Sequence, residues 1–179
     1  MDKYLLDNRI IIINGVIDDN SSYSVITKLL YLDSISNDDI SLYINSPGGS
    51  VSQGLAIIDC MNYIKSDVST FCLGEAYSMA SIILASGAKN KRYALPNSEI
   101  MIHEPMTKAE GNPIDLDIYS KRLFKTRDIL VNILAKSTNN SKDIIIKNLN
   151  NDNYMTSKDA KNFGIIDNII FHHNGWKMI

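Results

Sequence analysis

Hydrophobic positions along the chain follow two spacings in turn. Residues 9–17 hold the run Ile10-Ile11-Ile12-Ile13 and read as a β-branched strand, and residues 40–44 and 68–73 read as two more. Between these strands the apolar positions recur every three or four residues. Val25, Ile26, Leu29, Leu30 and Leu32 follow candidate N-caps at Asp19, Asn20 and Ser21, and Leu55, Ile58 and Met61 share one side of residues 50–65. Residues 78–86 predict a short helix, and residues 92–95 and 99–103 predict short strands around the turn Pro96-Asn97. Pro113, suited to a first helical position, opens a long helical pattern to residue 136 that carries Ile118, Leu123, Ile129, Leu130, Ile133 and Leu134. Residues 142–149 and 157–163 predict two more helices, and residues 165–170 a last strand. Alternating strands and helices predict a layered α/β fold with mostly parallel strands. With no linker and no repeat, the expectation is one domain over residues 1–179, ending in a tail at 171–179.

Composition narrows the function classes. The chain has 179 residues, 45% hydrophobic and 21% charged, enough to bury a core without a disulfide or a metal. Eighteen Lys and Arg stand against 20 Asp and Glu, a net charge of −2, with no basic block, which argues against nucleic acid as the main partner. No positive n-region precedes an apolar run at the start, and the uncharged stretch at residues 76–88 is too short for a membrane helix. The expected setting is the cytoplasm. Cys60 and Cys72 lie in apolar surroundings without C-x-x-C spacing and are expected as buried free thiols.

Two glycine-bearing junctions carry the candidate chemistry. Ser46-Pro47-Gly48-Gly49 ends a strand before a helix, and Gly74-Glu75-Ala76-Tyr77-Ser78 is expected to do the same. A helix starting behind such a turn presents unpaired N–H groups, which suit an oxyanion or a phosphate. Ser78 at a helix mouth resembles a nucleophile elbow without the G-x-S-x-G pattern, and a plain N-cap serine fits the same residues. Of three histidines, His172 and His173 lie in the polar tail. His103 alone ends an apolar strand, where open α/β sheets place catalytic groups, although a structural histidine beside a turn fits equally.

Several segments taken together resemble one family. Tyr43-Ile44-Asn45-Ser46-Pro47-Gly48-Gly49, Ser86-Gly87-Ala88-Lys89-Asn90-Lys91-Arg92, Leu95-Pro96-Asn97-Ser98 and Met101-Ile102-His103-Glu104-Pro105 are similar to ClpP, the proteolytic subunits of Clp proteases, in the same order and at the family's separations. The resemblance implies a ClpP/crotonase-like ββα-superhelix core with a protruding handle helix, the handle region spanning residues 104–137. It implies Ser78 as nucleophile, His103 as general base and Asp152 as the acid that orients the histidine, with the backbone N–H groups of Gly49 and Met79 as the oxyanion hole. A Cβ at Gly49 is expected to block backbone approach to a substrate.

The same resemblance implies a serine endopeptidase confined in heptameric rings stacked as a tetradecamer. A Clp AAA+ unfoldase of the ClpX, ClpA or ClpC type would feed it unfolded proteins. No cofactor is expected for this chain, since it lacks a G-x-x-x-x-G-K-[ST] loop and ATP would belong to the unfoldase. Tyr43, Tyr63, Phe71, Leu73, Tyr93, Leu95 and Ile170 match apolar positions of the family's docking pockets, and they also suit ordinary core packing.

The chain departs from the family's pattern at several places. It begins near the first core helix, so the axial loop is expected to be missing. Asn150 and Asn151 replace an acid and an arginine that pair across the rings. Met106 to Asn112 carries Lys108, Ala109 and Glu110 in place of a glycine-rich run. Glu75, Tyr77 and Ala80 flank the nucleophile where small residues are commoner, and Ser41 replaces a pocket tyrosine. These departures suggest a divergent paralogue working with a second ClpP subunit, and the alternative function is a catalytically weak or structural subunit of such a hetero-oligomer. A crotonase-type acyl-CoA enzyme and a phage head-maturation protease share the architecture and complete the alternatives.

Overall fold

Runs of β-branched residues become the centre of a mixed sheet. The computed structural model describes residues 2–106 and 111–171. Strands β1 (Ile10–Asn14), β2 (Ile40–Ser46) and β3 (Val68–Tyr77) pair in parallel, with Ile12 opposite Tyr43 and Tyr43 opposite Phe71. Beyond β3 lie β4 (Arg92–Ala94) and β7 (Asn168–Ile169), both parallel. β5 (Glu99–Ile102) pairs in parallel with the last part of β3, and β6 (Asn153–Thr156) pairs antiparallel with β5. The expectation of mostly parallel strands holds. β6 lacks the apolar run that marks the others and was not legible as a strand.

β1 and β2 alternate strictly. Ile11 and Ile13 of β1 and Ile40, Leu42 and Ile44 of β2 are buried, whereas Ile12 and Tyr43 face the other way and stay partly exposed. The buried side is covered by α2 (Asp19–Ile35), α3 (Val51–Tyr63) and α4 (Met79–Ala85), so that Leu29, Leu32, Ile57 and Ile83 meet the strand isoleucines in one core. Asp18 caps α2 through a capping box with Ser21, one residue before the expected caps. α1 (Asp2–Asp7), which the apolar pattern did not announce, precedes β1. The strand expected over residues 9–17 is shorter because Arg9 and Gly15 both take positive φ.

α5 (Pro113–Thr138) is the longest element, capped by the Asn112 side chain. Its first half is mostly exposed, and its second half returns to the core through Leu130, Val131 and Leu134. α6 (Lys142–Leu149) and α7 (Ser157–Phe163) complete the helices. The strand expected at 165–170 shrinks to β7, since Ile165 and Ile166 are buried at the end of α7 instead. Lys108, Ala109, Glu110, His172, His173 and Trp176 lie outside the described residues, as do parts of the handle region and tail expected from sequence.

One junction differs from its expected form. Gly74 does not end a strand before a helix, because β3 continues through it to Tyr77. The β2–β3 register jumps from Ile44 opposite Cys72 to Ser46 opposite Ala76, so β3 holds two extra residues there, and Gly74 takes φ +81° within the bulge. β3 also changes neighbours at this point, from β4 at residues 70–72 to β5 at residues 75–77. The bulge re-aims the strand's end toward β5.

Arg92 and Asp167 hold the far side of this sheet. The Arg92 guanidinium meets Asp167 at 2.7 Å and donates to the carbonyls of Ala85 and Ser137. Burial pushes the Asp167 carboxyl up, but the Arg92 hydrogen bonds and charge outweigh it and leave the carboxyl below its ordinary value.

Candidate active site

Ser78 stands where β3 turns directly into α4. Its backbone takes φ 52° and ψ −123°, outside the regions ordinary for a residue with a side chain. The conformation is held from both sides. The Ser78 N–H donates to the Met101 carbonyl at 2.9 Å, and its own carbonyl accepts the Ser81 N–H and the Ser81 hydroxyl. Behind it, every residue of α4 is buried, so the turn is anchored in the core. The elbow therefore lies at Ser78 itself rather than at Gly74. Ser78 occupies the N-cap position of α4 but makes no side-chain cap bond to it, so its hydroxyl is not spent on the helix.

Its hydroxyl goes to histidine. His103 follows the end of β5, and its Nε2 lies 2.8 Å from Ser78 Oγ. Its Nδ1 lies 3.0 Å from Asp152 Oδ1. A carboxylate only accepts, so Nδ1 carries the proton and donates to Asp152, leaving Nε2 to accept from the serine hydroxyl. The His103 side chain is 14% exposed and that of Asp152 is 57% exposed. Asp152 arrives through the antiparallel β5–β6 pair, in which Ile102 lies opposite Asn153, the residue after Asp152. The three residues expected from sequence are thus joined by two hydrogen bonds.

The glycine turn lies beside them. Gly49 forms a parallel bridge with Ile17, in which the Ile17 N–H donates to the Gly48 carbonyl and the Ser50 N–H to the Ile17 carbonyl, both at 2.8 Å. That pattern turns the Gly49 N–H away from Ile17, and among the described residues it has no backbone acceptor. The Met79 N–H, first in α4, has none either. A Cβ on Gly48 would lie 2.9 Å from Ser78 Cβ and 3.1 Å from the Met79 nitrogen, which places the two junctions in contact. The sequence-based reason for Gly49 needs correction: a Cβ there would meet the Ile17 carbonyl oxygen at 2.3 Å, so the chain's own backbone demands the glycine. Gly48, which sequence reasoning did not assign a role, is the glycine that faces the serine. The doublet was its only signal.

The apolar positions suggested for docking occupy the outer face of the sheet. Tyr43, Phe71 and Tyr93 pair across β2, β3 and β4 and stack, with ring centroids 4.7 and 4.9 Å apart. Leu73 is half-buried two residues beyond Phe71, and exposed Leu95 lies two beyond Tyr93. Ile170 is half-buried and its N–H donates to the Ala94 carbonyl. Tyr63, at the end of α3, is 83% exposed. Ser41 lies two residues before Tyr43 on β2 and is half-buried. Asn150 and Asn151 are exposed before Asp152.

Cys60 and Cys72 are buried free thiols, and burial pushes the Cys72 thiol up to about 12. Among the described residues no group of three His, Cys, Asp or Glu side chains converges to hold a metal, and no helix is long and apolar enough to cross a membrane.

A family model described as Clp protease matches residues 1–173. A relative from Carsonella ruddii (strain PV), an ATP-dependent Clp protease proteolytic subunit, is 46% identical over 167 residues, which is 93% of this chain and 86% of that one. The seven-stranded mixed sheet and its helices agree with that fold. On the length of these matches, the chain belongs to the Clp protease family and is a serine protease subunit of the Clp type.

Proposed function

We propose that the chain cuts unfolded polypeptides by acyl transfer at Ser78, with His103 and Asp152 completing the triad. The observation that carries this is the unbroken pair of hydrogen bonds from Ser78 Oγ through His103 to Asp152. Ser78 Oγ attacks the scissile carbonyl carbon while His103 Nε2 takes the hydroxyl proton. Asp152 stabilises the imidazolium so formed. Negative charge on the tetrahedral oxygen is met by the Gly49 and Met79 N–H groups, neither of which has a backbone acceptor to surrender. Each such donor lowers a barrier by about 3 kcal/mol. His103 then returns the proton to the leaving amine, and water releases the acyl group by the same steps in reverse order.

The assembly proposed is a heptameric ring stacked as a tetradecamer in the cytoplasm, with the active sites enclosed. The exposed first half of α5 supports it, because Ile114, Leu116, Ile118, Tyr119 and Phe124 all stand exposed around the helix, apolar surface that a second ring would cover. An ATP-driven unfoldase of the ClpX, ClpA or ClpC type would dock beside the Tyr43–Phe71–Tyr93 stack and carry the ATP chemistry, leaving this chain without a cofactor. The neutral pair Asn150 and Asn151 supports a mixed assembly with a second ClpP paralogue, since neutral amides couple rings more weakly than an ion pair. The connected triad favours an active subunit over a structural one.

The test is hydrolysis of a fluorogenic peptide by the purified chain, alone and co-expressed with a second ClpP subunit, with Ser78→Ala as control and assembly size followed by native mass spectrometry. Activity and fluorophosphonate labelling that both vanish in Ser78→Ala are expected. Hydrolysis that survives the substitution overturns the mechanism. Activity from a particle smaller than two rings overturns the assembly.

A further inference from the structure

Tyr77 is the last residue of β3 and directly precedes Ser78. Its hydroxyl donates to Glu99 Oε1 at 2.5 Å. Its ring meets the ring of Tyr154 edge-on, with centroids 5.7 Å apart and planes at 83°. The register explains why these partners meet. Met101 of β5 lies opposite Tyr77 on one side and opposite Tyr154 on the other, and Glu99, two residues earlier on β5, shares their face. Met101, between the two tyrosines in register, is only 6% exposed on a face where Glu99 and Tyr154 are open to solvent.

Each strand in this row ends at the chemistry. Ser78 follows Tyr77, His103 comes two residues after Met101, and Asp152 stands two residues before Tyr154. The ladders themselves are short: β3 and β5 pair over residues 75–77 and 99–101, and β5 and β6 over four residues each. Cross-strand side-chain pairs are the unit of sheet stabilisation, and in ladders this short each pair counts for more. A phenol bonded to a carboxylate is a strong pair of this kind.

We propose that Tyr77 is a positioning residue for the triad: bonded to Glu99 and packed on Tyr154, it holds the ends of β3, β5 and β6 in register so that Ser78, His103 and Asp152 stay within hydrogen-bond reach. The proposal rests on the serine-peptidase reading of those three residues. Tyr77 itself touches none of the reacting atoms, so its removal acts on kcat rather than on substrate affinity.

The variants are Tyr77→Phe, Glu99→Ala, Glu99→Gln and Tyr154→Leu, each measured for peptide hydrolysis, assembly size, thermal midpoint and backbone hydrogen exchange over residues 101–103 and 152–154. Tyr77→Phe and Glu99→Ala are expected to lower kcat roughly 10- to 100-fold, the cost of displacing a catalytic group, with KM and assembly unchanged. Glu99→Gln, which keeps an oxygen acceptor, is expected to recover most of the loss. Tyr77→Phe combined with Glu99→Ala should be no worse than either alone. Exchange at both segments is expected to quicken in Tyr77→Phe. Parental kcat in Tyr77→Phe, equal losses in Glu99→Gln and Glu99→Ala, or unchanged exchange overturns the proposal. If the parent shows no serine-dependent hydrolysis, the peptidase reading fails by itself, and exchange in Tyr77→Phe still decides whether the clamp exists.

Discussion

Met79 lies with its side chain against Gly54, so closely that a Cβ on Gly54 would come 2.2 Å from Met79 Cγ and 2.9 Å from its sulfur. Gly54 sits in α3 and Met79 opens α4, so this contact sets how near the two helices approach behind the nucleophile. Gly54→Ala improves the intrinsic helix preference of α3 by about 1 kcal/mol, yet it must displace the Met79 side chain, which strains the residue whose N–H is proposed for the oxyanion hole. The expected outcome is a kcat at least about 10-fold lower with KM nearly unchanged, read from steady-state peptide hydrolysis.

Three glycines with positive φ separate strain from collision. Gly15, at φ +79°, has open space where a Cβ would go, Gly49 would strike the Ile17 carbonyl, and Gly48 would strike the Tyr77 carbonyl at 2.6 Å. Gly15→Ala is expected to cost about 1–2 kcal/mol of backbone strain and leave peptidase activity intact. Gly48→Ala should abolish fluorophosphonate labelling of Ser78. Gly49→Ala should lower the thermal midpoint further than Gly15→Ala, because it also breaks the bridge to Ile17. Equal thermal midpoints for Gly15→Ala and Gly49→Ala would contradict this account.

The left-handed turn at Ser78 stores strain that function requires. Ser78→Gly and Ser78→Ala both remove the hydroxyl, but only glycine relaxes φ 52° with ψ −123°. Strain of this kind costs on the order of 1–3 kcal/mol, so Ser78→Gly is expected to be the more stable of two inactive variants by about 1 kcal/mol after its added chain entropy. Chemical denaturation of both would measure the difference.

Asp167 carries a pH dependence with a defined sign. Its carboxyl sits below the ordinary value in the folded chain because of Arg92, so the stability it contributes is complete above the unfolded carboxylate value and is lost as pH falls through the folded one. Asp167→Asn is expected to cost about 3 kcal/mol at neutral pH, since it leaves the Arg92 guanidinium, buried within the sheet, without its charge partner. The gap between parent and variant should narrow as pH drops below about 4. Denaturation curves at neutral and acid pH read it directly, and a constant gap would contradict the assignment.

Much of this protein was local, and its sequence determined that part by itself. Short β-branched and apolar runs marked β1 and β2, three- and four-residue spacing marked α2 and α3, and Pro113 marked the start of α5, because these preferences are set by neighbours along the chain. Ser78 and His103 stood out for the same reason, one at a helix mouth and one at a strand end. Tertiary structure decided the rest. Asp152 is 49 residues from His103 and reaches it through α5, α6 and the β5–β6 pair, and no local spacing chooses it from 20 acidic residues, so only resemblance had named it. Gly74 was misread as a turn because a bulge is defined by the neighbouring strand, and Gly54 and Ile17 carried no signal because their roles exist only against Met79 and Gly49. Side-chain period is written along the chain, whereas register and close approach between distant segments arise only when the core and the hydrogen-bond ladders are satisfied together.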